Sequence, residues 1–216
     1  MNIVDDFYAN YYSKIFGSGI VGKIAGFVHW LIEYPYKRNQ FFGTVLEVGA
    51  GEGQHFKFIK HNFNFYIETD IRESIDQPIN SKVKKMLSNA EDLNGIESNS
   101  VDRLIATCIL VHLLEPEKAL QNWSRVVKKG GQLSIFVPAE PSILLRFFRF
   151  FVTSRKAKKF GLNHKSIHYR EHRNMWILCD LLIRETFHES KIRSRKFPSN
   201  FLPWNLRLFD IYEITK

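Results

Sequence analysis

The sequence predicts an α/β protein in which a mostly parallel β-sheet carries helices on both faces. Three observations support this prediction. Apolar β-type runs alternate with helix-type segments between residues 41 and 138, a glycine-rich turn follows the first run, and an acidic residue ends the second. Alternation of strands with helices is typical of parallel sheets, because each parallel connection must cross back over the sheet.

The predicted elements follow from apolar periodicity and from turn residues. Within the alternating region the predicted strands are 44–48, 65–70, 83–88, 102–107 and 132–137. The predicted helices are 53–61, 72–78 and 116–127, and Gly130-Gly131 is expected to close the last one. Outside this region the pattern predicts helices at 24–34 and 175–187 and two final strands at 192–197 and 206–215.

The glycine-rich turn indicates the kind of ligand. Gly49, Gly51 and Gly53 occupy alternate positions after the apolar run, so the backbone can bend sharply and approach a ligand closely. A dinucleotide fingerprint has the spacing Gly-x-Gly-x-x-Gly, which this turn lacks. Glu47, two residues before the first glycine, would repel a pyrophosphate and suits a ligand with a cationic part.

The second strand ends at Asp70, about 20 residues beyond the glycines, where an acid commonly hydrogen-bonds ribose hydroxyls. Further along come Asn89-Ala90-Glu91-Asp92-Leu93, then Val101-Asp102-Arg103-Leu104, then Arg125-Val126-Val127-Lys128-Lys129-Gly130-Gly131. In this order, and with Glu-x-Gly-x-Gly-x-Gly ahead of them, the motifs resemble the class I S-adenosylmethionine (SAM)-dependent methyltransferases. They are most similar to the methyltransferase type 11 branch, which includes ubiquinone and menaquinone methyltransferases.

The resemblance, which covers residues 41–138 well, implies a Rossmann-like sheet of seven mostly parallel strands with an antiparallel last strand. It also implies a set of cofactor contacts. Those expected around the methionine part are Glu47, Gly49, Ala50, Gly51, Thr107 and Cys108. Those expected around the ribose and adenine are Asp70, Ile71, Asn89 and Ala90. Asn89 stands where the family usually has Asp, and its amide can still pair with the adenine amino group.

The resemblance and the length of 216 residues predict one methyltransferase domain. We expect a helical cap over the cofactor at 1–40, the cofactor-binding core at 41–138, a substrate-side insertion at 139–190 and the last two strands at 191–216. Cys108 and Cys179 form no disulfide framework or metal signature, so no metal is expected. The sequence shows no secretory signal and no uninterrupted apolar stretch of membrane-spanning length, so a cytoplasmic protein is expected.

Positive charge is concentrated in one part of the chain. The net charge is +9, and residues 146–196 hold fourteen lysines and arginines against four acidic residues. Such a region favours phosphates, an anionic membrane surface or an acidic glycan, although a merely solvated face has the same composition. Within it, Ser142 to Val152 combines phenylalanine and leucine with spaced arginines. This pattern fits an interfacial helix or a lid, or a core-facing helix whose arginines reach out to solvent.

The candidate substrate site lies at the carboxyl ends of the strands, where such folds bind ligands. His112 follows the fourth strand, and His172 lies in a polar loop predicted at 163–174, so these two are the candidate general bases. The other candidate substrate contacts are Tyr12, Glu140, His168, Tyr169 and Arg173.

The sequence therefore predicts a SAM-dependent methyltransferase that acts on a small-molecule, lipid-linked or glycan acceptor, with peripheral contact to an anionic membrane as one option. Two alternatives stay open: an RNA methyltransferase that uses the basic region, and an inactive SAM-fold module that binds a membrane or a partner. Nucleic-acid amino methylation is disfavoured, because Thr107-Cys108-Ile109-Leu110 lacks the Asn/Asp-Pro-Pro-Tyr/Phe motif of those enzymes.

Overall fold

A computed structural model describes residues 3–72 and 81–216 of the chain. Its centre is a seven-stranded sheet in the order β3-β2-β1-β4-β5-β7-β6. The strands are Phe41–Val48 (β1), Asn62–Asp70 (β2), Val83–Leu87 (β3), Val101–Thr107 (β4), Val127–Pro138 (β5), Lys191–Phe197 (β6) and Phe209–Thr215 (β7). All neighbouring pairs are parallel except those that involve β7, which runs antiparallel to β5 and β6. The predicted fold class is confirmed.

The described helices surround this sheet. They are Ile3–Asn10 (α1), Tyr12–Phe16 (α2), Gly19–Glu33 (α3), Pro116–Val126 (α4), Ile143–Phe148 (α5), Arg155–Lys158 (α6), His164–Glu171 (α7) and Trp176–Thr186 (α8). A π-helical stretch, Arg149–Ser154, joins α5 to α6, and short 3-10 turns occur at His55–Phe58, Leu110–His112 and Trp204–Leu206. None of the helices in the described part of the chain has both the length and the hydropathy that a membrane crossing requires.

Each face of the sheet has its own core, because successive strand residues point to opposite sides. Val45 packs with Val28 and Ile32 of α3 on one face. Leu46 and Val48 pack on the other face, in a core to which α4 and α8 contribute. The two cores hold the sheet rigid, so the loops at the carboxyl ends of its strands have a fixed base.

One core contains a buried polar group that we call the Glu33 cluster: Glu33, His55, His61 and Arg103. Both carboxylate oxygens of Glu33 accept hydrogen bonds from the Arg103 guanidinium, at 2.5 and 3.0 Å, and His55 Nε2 lies 2.9 Å from the same carboxylate. His29 bonds to His55 rather than to Glu33 one turn away on α3. All the ion-pairing side chains of this cluster have zero exposure. The cluster links α3 to β4 inside the molecule.

The amino-terminal helices pack against the region that follows β5. Phe7 and Ile15 form a small core with Ala157 of α6 and Ile167 of α7. The Lys156 ammonium donates hydrogen bonds to the carbonyl oxygens of Ile15 and Ser18, which caps the end of α2. Two segments that lie far apart in the sequence therefore cover the same end of the sheet.

Two predictions between β1 and β5 are wrong. The helix predicted at 53–61 is a single 3-10 turn, because Gly53 adopts a left-handed φ of +69° and β2 begins at Asn62. Gly130-Gly131 does not close α4, which ends at Val126 and passes directly into β5. The two glycines lie in an irregularity of β5, where the pairing with β4 shifts between Val101 and Arg103. The helix predicted at 72–78 lies almost entirely outside the described residues.

The region after β5 is more helical than predicted. The polar stretch predicted as a loop at 163–174 contains α7, and the Asn163 side chain caps it by accepting the Ser166 N–H at 3.2 Å. The segment predicted at 142–152 is helical and continues through the π-helical stretch to the end of α6. Ser142 caps its start, since its Oγ accepts the Leu145 N–H at 3.1 Å.

Candidate active site

The glycine turn after β1 leaves an open space at the carboxyl edge of the sheet. Gly49 has φ of +70°, and a Cβ there would come within 2.8 Å of the Ile109 side chain. Gly51 also has a left-handed φ, +56°, but a Cβ added to it would meet nothing within 4 Å. The first glycine is therefore needed for packing, whereas the second faces free space that a ligand can fill.

Asp70 ties the end of β2 to this turn. One of its carboxylate oxygens accepts the Gly51 N–H and the other accepts the Arg72 N–H, both at 2.9 Å. The Ala50 N–H in turn donates to the Thr69 carbonyl at 2.9 Å. Each carboxylate oxygen of Asp70 keeps a second lone pair, so it can still accept from a ligand hydroxyl at the edge of the open space.

Glu47 lies below the turn and is only 2% exposed. The Tyr66 hydroxyl donates to its carboxylate at 2.7 Å. Burial raises the pKa of Glu47 to about 8, although the Tyr66 hydrogen bond opposes the rise. The carboxyl group is thus mostly neutral at pH 7 in this state, and a cationic ligand close to it would favour the ionised form.

A cleft of about 310 Å³ opens beside Asp70 and is lined by Ile71, Leu87, Ser88, Asn89 and Asn94. The side chains of Ile71 and Leu87 are mostly exposed at its rim. The buried Ser88 Oγ has no hydrogen-bond partner among the described residues. Ala90 is buried, and its carbonyl accepts the Trp123 indole N–H at 2.9 Å, which fixes the cleft loop to α4. Apolar walls with unpaired polar atoms suit a heterocyclic base.

Tyr12 covers the open space from the amino-terminal side. Its ring stacks on Tyr8 with centroids 5.3 Å apart, and the Arg72 guanidinium lies 3.8 Å from the Tyr8 ring. Burial, followed by the nearby Cys108 thiol and the carboxylates of Glu52 and Asp70, raises the pKa of Tyr12 to about 12. The Tyr12 hydroxyl therefore lies close to the glycine turn and stays protonated.

The end of β4 forms the floor of the same region. Thr107 Oγ1 is buried and has no partner among the described residues. Cys108 has a left-handed φ of +63°, which is uncommon for a residue with a side chain and recurs at functional sites. Burial raises the pKa of Cys108 to about 12, so the group is a neutral thiol.

Next to Cys108 lies a second polar group, which we call the Glu140 cluster: Glu140, Arg149, His168 and His172. His172 Nδ1 lies 2.9 Å from the Glu140 carboxylate, and His168 Nε2 lies 3.2 Å from it. The Arg149 guanidinium contacts both Glu140 and His168. Burial alone would raise the pKa of Glu140, but hydrogen bonds from the two histidines and the charge of Arg149 hold it well below its usual range.

His112 packs edge-on against His172, with ring centroids 4.6 Å apart. Burial lowers the pKa of His112 to about 4 and that of His172 to about 3, so both rings are neutral at pH 7. His112 Nδ1 has no hydrogen bond among the described residues and lies 3.9 Å from the Glu171 carboxylate. The backbone N–H groups of Arg173 and Asn174 donate to the Val111 carbonyl, which fixes the two histidines relative to each other.

Two sets of side chains in this region have the chemistry and the proximity to bind a metal ion. They are Cys108 with His112 and His172, and Glu140 with His168 and His172, with ligand atoms within 4.8 Å of one another in each set. Arg149 already supplies a positive charge to the second set. Within these sets only His168 and His172 have a spacing in the sequence, four positions, that places two ligands on one helix face.

The structure brings most of the predicted substrate-side residues together, but two lie apart. Tyr169 is largely exposed on α7 and approaches the Glu140 cluster only through the His168 ring. The Arg173 side chain is exposed, and its backbone is what contributes to the site. Sequence reasoning missed Arg149 and Glu171. The sequence did offer one signal for a polar cluster in this region. His164, His168 and His172 recur at four-residue intervals, which places all three on one helix face.

Comparison with known proteins shows that part of this chain is similar to methyltransferases. Residues 46–135 match the family described as a methyltransferase domain. A protein described as a methyltransferase from Claviceps purpurea (strain 20.1) is 30% identical over 106 residues, which make up 47% of this chain and 33% of that protein. The match thus spans about a third of the length of that relative.

Solved structures share the whole fold. A SAM-dependent methyltransferase from Thermotoga maritima superposes with a TM-score of 0.65 at 19% identity, covering 99% of this chain and 98% of that one. The N-methyltransferase NodS from Bradyrhizobium japonicum WM9, solved with S-adenosyl-L-homocysteine, gives 0.62 at 10% identity, covering 99% and 96%. At these identities the likeness shows the fold. The family match adds that residues 46–135, which include the glycine turn and the end of β4, are similar to a methyltransferase domain.

Proposed function

We propose that this protein transfers a methyl group from SAM to a hydroxyl of a small-molecule, lipid-linked or glycan acceptor, with His172 as the general base. The observation that carries the proposal is the pairing of His172 with Glu140 at 2.9 Å beside Cys108. A neutral imidazole oriented by a carboxylate is an arrangement that removes a proton from an attacking group.

The cofactor would occupy the space that the chain leaves open. Gly51 would lie against its methionine part with Gly49, Ala50, Thr107 and Cys108, as the free volume at Gly51 allows. Asp70 would accept from the ribose hydroxyls. When bound, SAM supplies a methyl group on a positively charged sulfur, which an acceptor lone pair can displace in line. The neutral side chains at the end of β4 place no positive charge next to that sulfur.

The cleft beside Asp70 would take the adenine. Ile71 and Leu87 offer apolar surface, and Asn89 offers an amide at the rim. The unpaired Ser88 Oγ would gain a partner from a ring nitrogen, which removes the cost of leaving it buried without one. Tyr12 would close the space from the amino-terminal side and exclude water from it.

His172 would act through the nitrogen that does not contact Glu140. Because Glu140 is ionised, it must accept a hydrogen bond, so His172 Nδ1 carries the proton and Nε2 keeps its lone pair. Nε2 can then accept the proton of an acceptor hydroxyl while the acceptor oxygen attacks the methyl carbon. The Glu140 carboxylate stabilises the imidazolium that forms. His112 lies against the same ring and would help to position the acceptor.

The surroundings of the site favour an acceptor with apolar or anionic parts. Between residues 146 and 196, lysines and arginines outnumber the acidic residues by ten. Several of these basic residues lie on the helices after β5, which flank the Glu140 cluster. A phosphate, carboxylate or uronate on the acceptor would be attracted to this side of the molecule.

The test replaces the base and measures cofactor binding and turnover separately. His172→Ala should lower the rate of S-adenosylhomocysteine release, measured with a panel of phenols, glycosides and polyprenyl phosphates, by roughly 10²–10⁴-fold. It should leave the affinity for S-adenosylhomocysteine within a few-fold of wild type. His188→Ala is the matched control, because the His188 side chain is 71% exposed and far from the cluster in sequence.

Two results would contradict the proposal. If His172→Ala turned over as fast as wild type, the base would be another group or none. If wild type bound S-adenosylhomocysteine but methylated only RNA in the panel, with a steep salt dependence, the acceptor class would be wrong.

A further inference from the structure

The helical run from α5 to α6 presents its apolar side chains to solvent. Ile143, Phe147 and Phe150 are 63%, 61% and 64% exposed, and Phe151 is 39% exposed. The Phe151 ring lies 4.4 Å from Phe147 and 5.0 Å from Phe150, so the three rings form one continuous apolar surface. An exposed cluster of this kind on one element calls for an explanation beyond the scattered apolar residues of an ordinary surface.

The side chains of this run that are buried are small or medium-sized. They include Leu145, Thr153 and Ala157, and Arg149 reaches the Glu140 cluster. A helix that folds onto a core normally turns its largest apolar side chains toward that core. Here the Phe147 and Phe150 rings are exposed, so packing in the core does not account for the apolar composition of this segment.

The exposed face also carries uncompensated positive charge. Arg146, Arg155, Lys158 and Lys159 are exposed, and between Pro141 and Arg170 the sequence has no aspartate or glutamate. Among the described residues none of these four side chains forms an ion pair, and the Arg155 guanidinium lies 5.1 Å from the Phe151 ring. The cations thus border the apolar surface on the solvent side.

We propose that this face, defined by Ile143, Arg146, Phe147, Phe150, Phe151, Arg155, Lys158 and Lys159, docks on an anionic lipid surface. An apolar cluster bordered by lysine and arginine enters the interfacial region of a bilayer, where the rings leave water and the cations meet the headgroup charges. The helical run would lie in the plane of the surface and not cross it, in agreement with its length.

Other occupants fit the same face less well. A second copy of this chain would bring two like-charged patches together without an acidic residue to pair them. A single-stranded nucleic acid stacks its bases on separate aromatic rings. Here Phe150 and Phe151 meet edge to face and Phe147 is tilted against Phe151, so the rings pack on one another and do not form separate stacking platforms.

The face is held rigidly beside the candidate active site. Ser142 Oγ donates to the Arg207 carbonyl at 2.5 Å, Lys156 bonds to the end of α2, and Arg149 contacts Glu140. Docking would therefore place the Glu140 cluster next to the headgroup layer, within reach of an acceptor carried by a lipid. The docking itself does not depend on the proposed reaction.

The experiment measures sedimentation of the full chain with vesicles of phosphatidylcholine alone and of phosphatidylcholine mixed with phosphatidylglycerol. Wild type should bind the mixed vesicles and not the zwitterionic ones, and added salt should weaken binding. Phe147→Ser/Phe150→Ser and Arg155→Glu/Lys158→Glu should each lower the partition coefficient by roughly tenfold or more.

Matched controls carry the same changes elsewhere. Phe41→Ser/Phe65→Ser replaces two rings that are 59% and 62% exposed on β1 and β2, and Lys37→Glu/Arg38→Glu makes the same charge change away from the face. Both should bind like wild type, and thermal unfolding should show that all variants are folded. The proposal is overturned if wild type does not bind the mixed vesicles or if the face variants and the controls bind them equally. It is also overturned if single-stranded RNA displaces the protein from the vesicles.

Discussion

The Glu33 cluster and the Glu140 cluster are built from the same residue types and yet differ in their exposure to solvent and in their place in the fold. Each contains one glutamate, one arginine and two histidines. In the Glu33 cluster both carboxylate oxygens are paired and the ion-pairing side chains have zero exposure. In the Glu140 cluster the glutamate, arginine and histidines are 11–18% exposed.

The difference lies in what surrounds each glutamate. Glu33 is enclosed between α3 and β4 and locks them together. Glu140 lies at the carboxyl edge of the sheet, next to a left-handed Cys108 and to a His112 nitrogen that finds no hydrogen-bond partner in the described part of the chain. Residue types alone therefore do not distinguish the two clusters, whereas the exposure of their side chains does.

The largest expected effect comes from breaking the Glu33 cluster. Glu33→Gln leaves the Arg103 guanidinium buried without its counter-charge and should lower the free energy of unfolding by about 3–5 kcal/mol. Urea unfolding measures this. The double variant Glu33→Gln/Arg103→Met should be less destabilised than the single one, because no charge is left unpaired. Equal stability of Glu33→Gln and wild type would show that the cluster is not structural.

The same substitution at Glu140 should have a different outcome. Glu140→Gln removes the group that fixes the His172 tautomer, so turnover should fall by roughly 100-fold. Stability should fall by about 1–3 kcal/mol, less than at Glu33, because the side chains of the Glu140 cluster keep 11–18% exposure whereas those of the Glu33 cluster have none. A Glu140→Gln variant that lost several kcal/mol of stability but kept its turnover would show that Glu140, like Glu33, has a structural role.

Acid should destabilise the protein, and the contribution of Glu33 can be isolated by substitution. Arg103 and His55 lower the pKa of Glu33 to about 2 against the opposing effect of burial, and burial lowers the pKa of His29 to about 3. Both groups bind protons more readily in the unfolded chain, so stability should decrease as the pH falls from about 6.5 toward 2. Glu33→Gln should flatten the part of this loss below about pH 4.5. Urea midpoints measured across this range give the test.

A smaller pH effect is expected at the cofactor site. Because the pKa of Glu47 is about 8, a cationic ligand must draw a proton off this group when it binds. S-adenosylhomocysteine has no sulfonium but keeps the α-ammonium group, so its affinity should rise by up to about tenfold per pH unit from about pH 6 to about pH 8 if that ammonium lies next to Glu47. Calorimetry in two buffers of different ionisation enthalpy detects the released proton. Glu47→Gln should abolish the pH dependence of the affinity. If the affinity of the wild type did not change with pH, Glu47 would not interact with the ligand.

The sequence was sufficient where the signal was local. The strands from Thr44 to Val137 were predicted because each is a short apolar run between turn residues. The predicted helix after Gly53 failed because the left-handed glycine and an early start of β2 leave room for only one turn.

The polar clusters were hidden for a different reason. Glu33 and Arg103 are 70 positions apart, and Glu140 meets His172 across 32 positions. Their contacts arise when α3 packs on the sheet and when α7 packs against α1 and the π-helical stretch, and no local pattern specifies that packing. His112 was singled out because it follows the fourth strand, and His172 because it lies in a polar stretch after the fifth strand; their role as bases stays a prediction.

The most direct test is titration calorimetry of S-adenosylhomocysteine into the wild-type chain and into Asp70→Ala. The account predicts one site per chain in wild type, and a loss of at least roughly tenfold in affinity for the folded variant, because a charge-assisted ribose contact is removed. Absence of binding in wild type, or binding of NAD in its place, would contradict the assignment of the glycine turn.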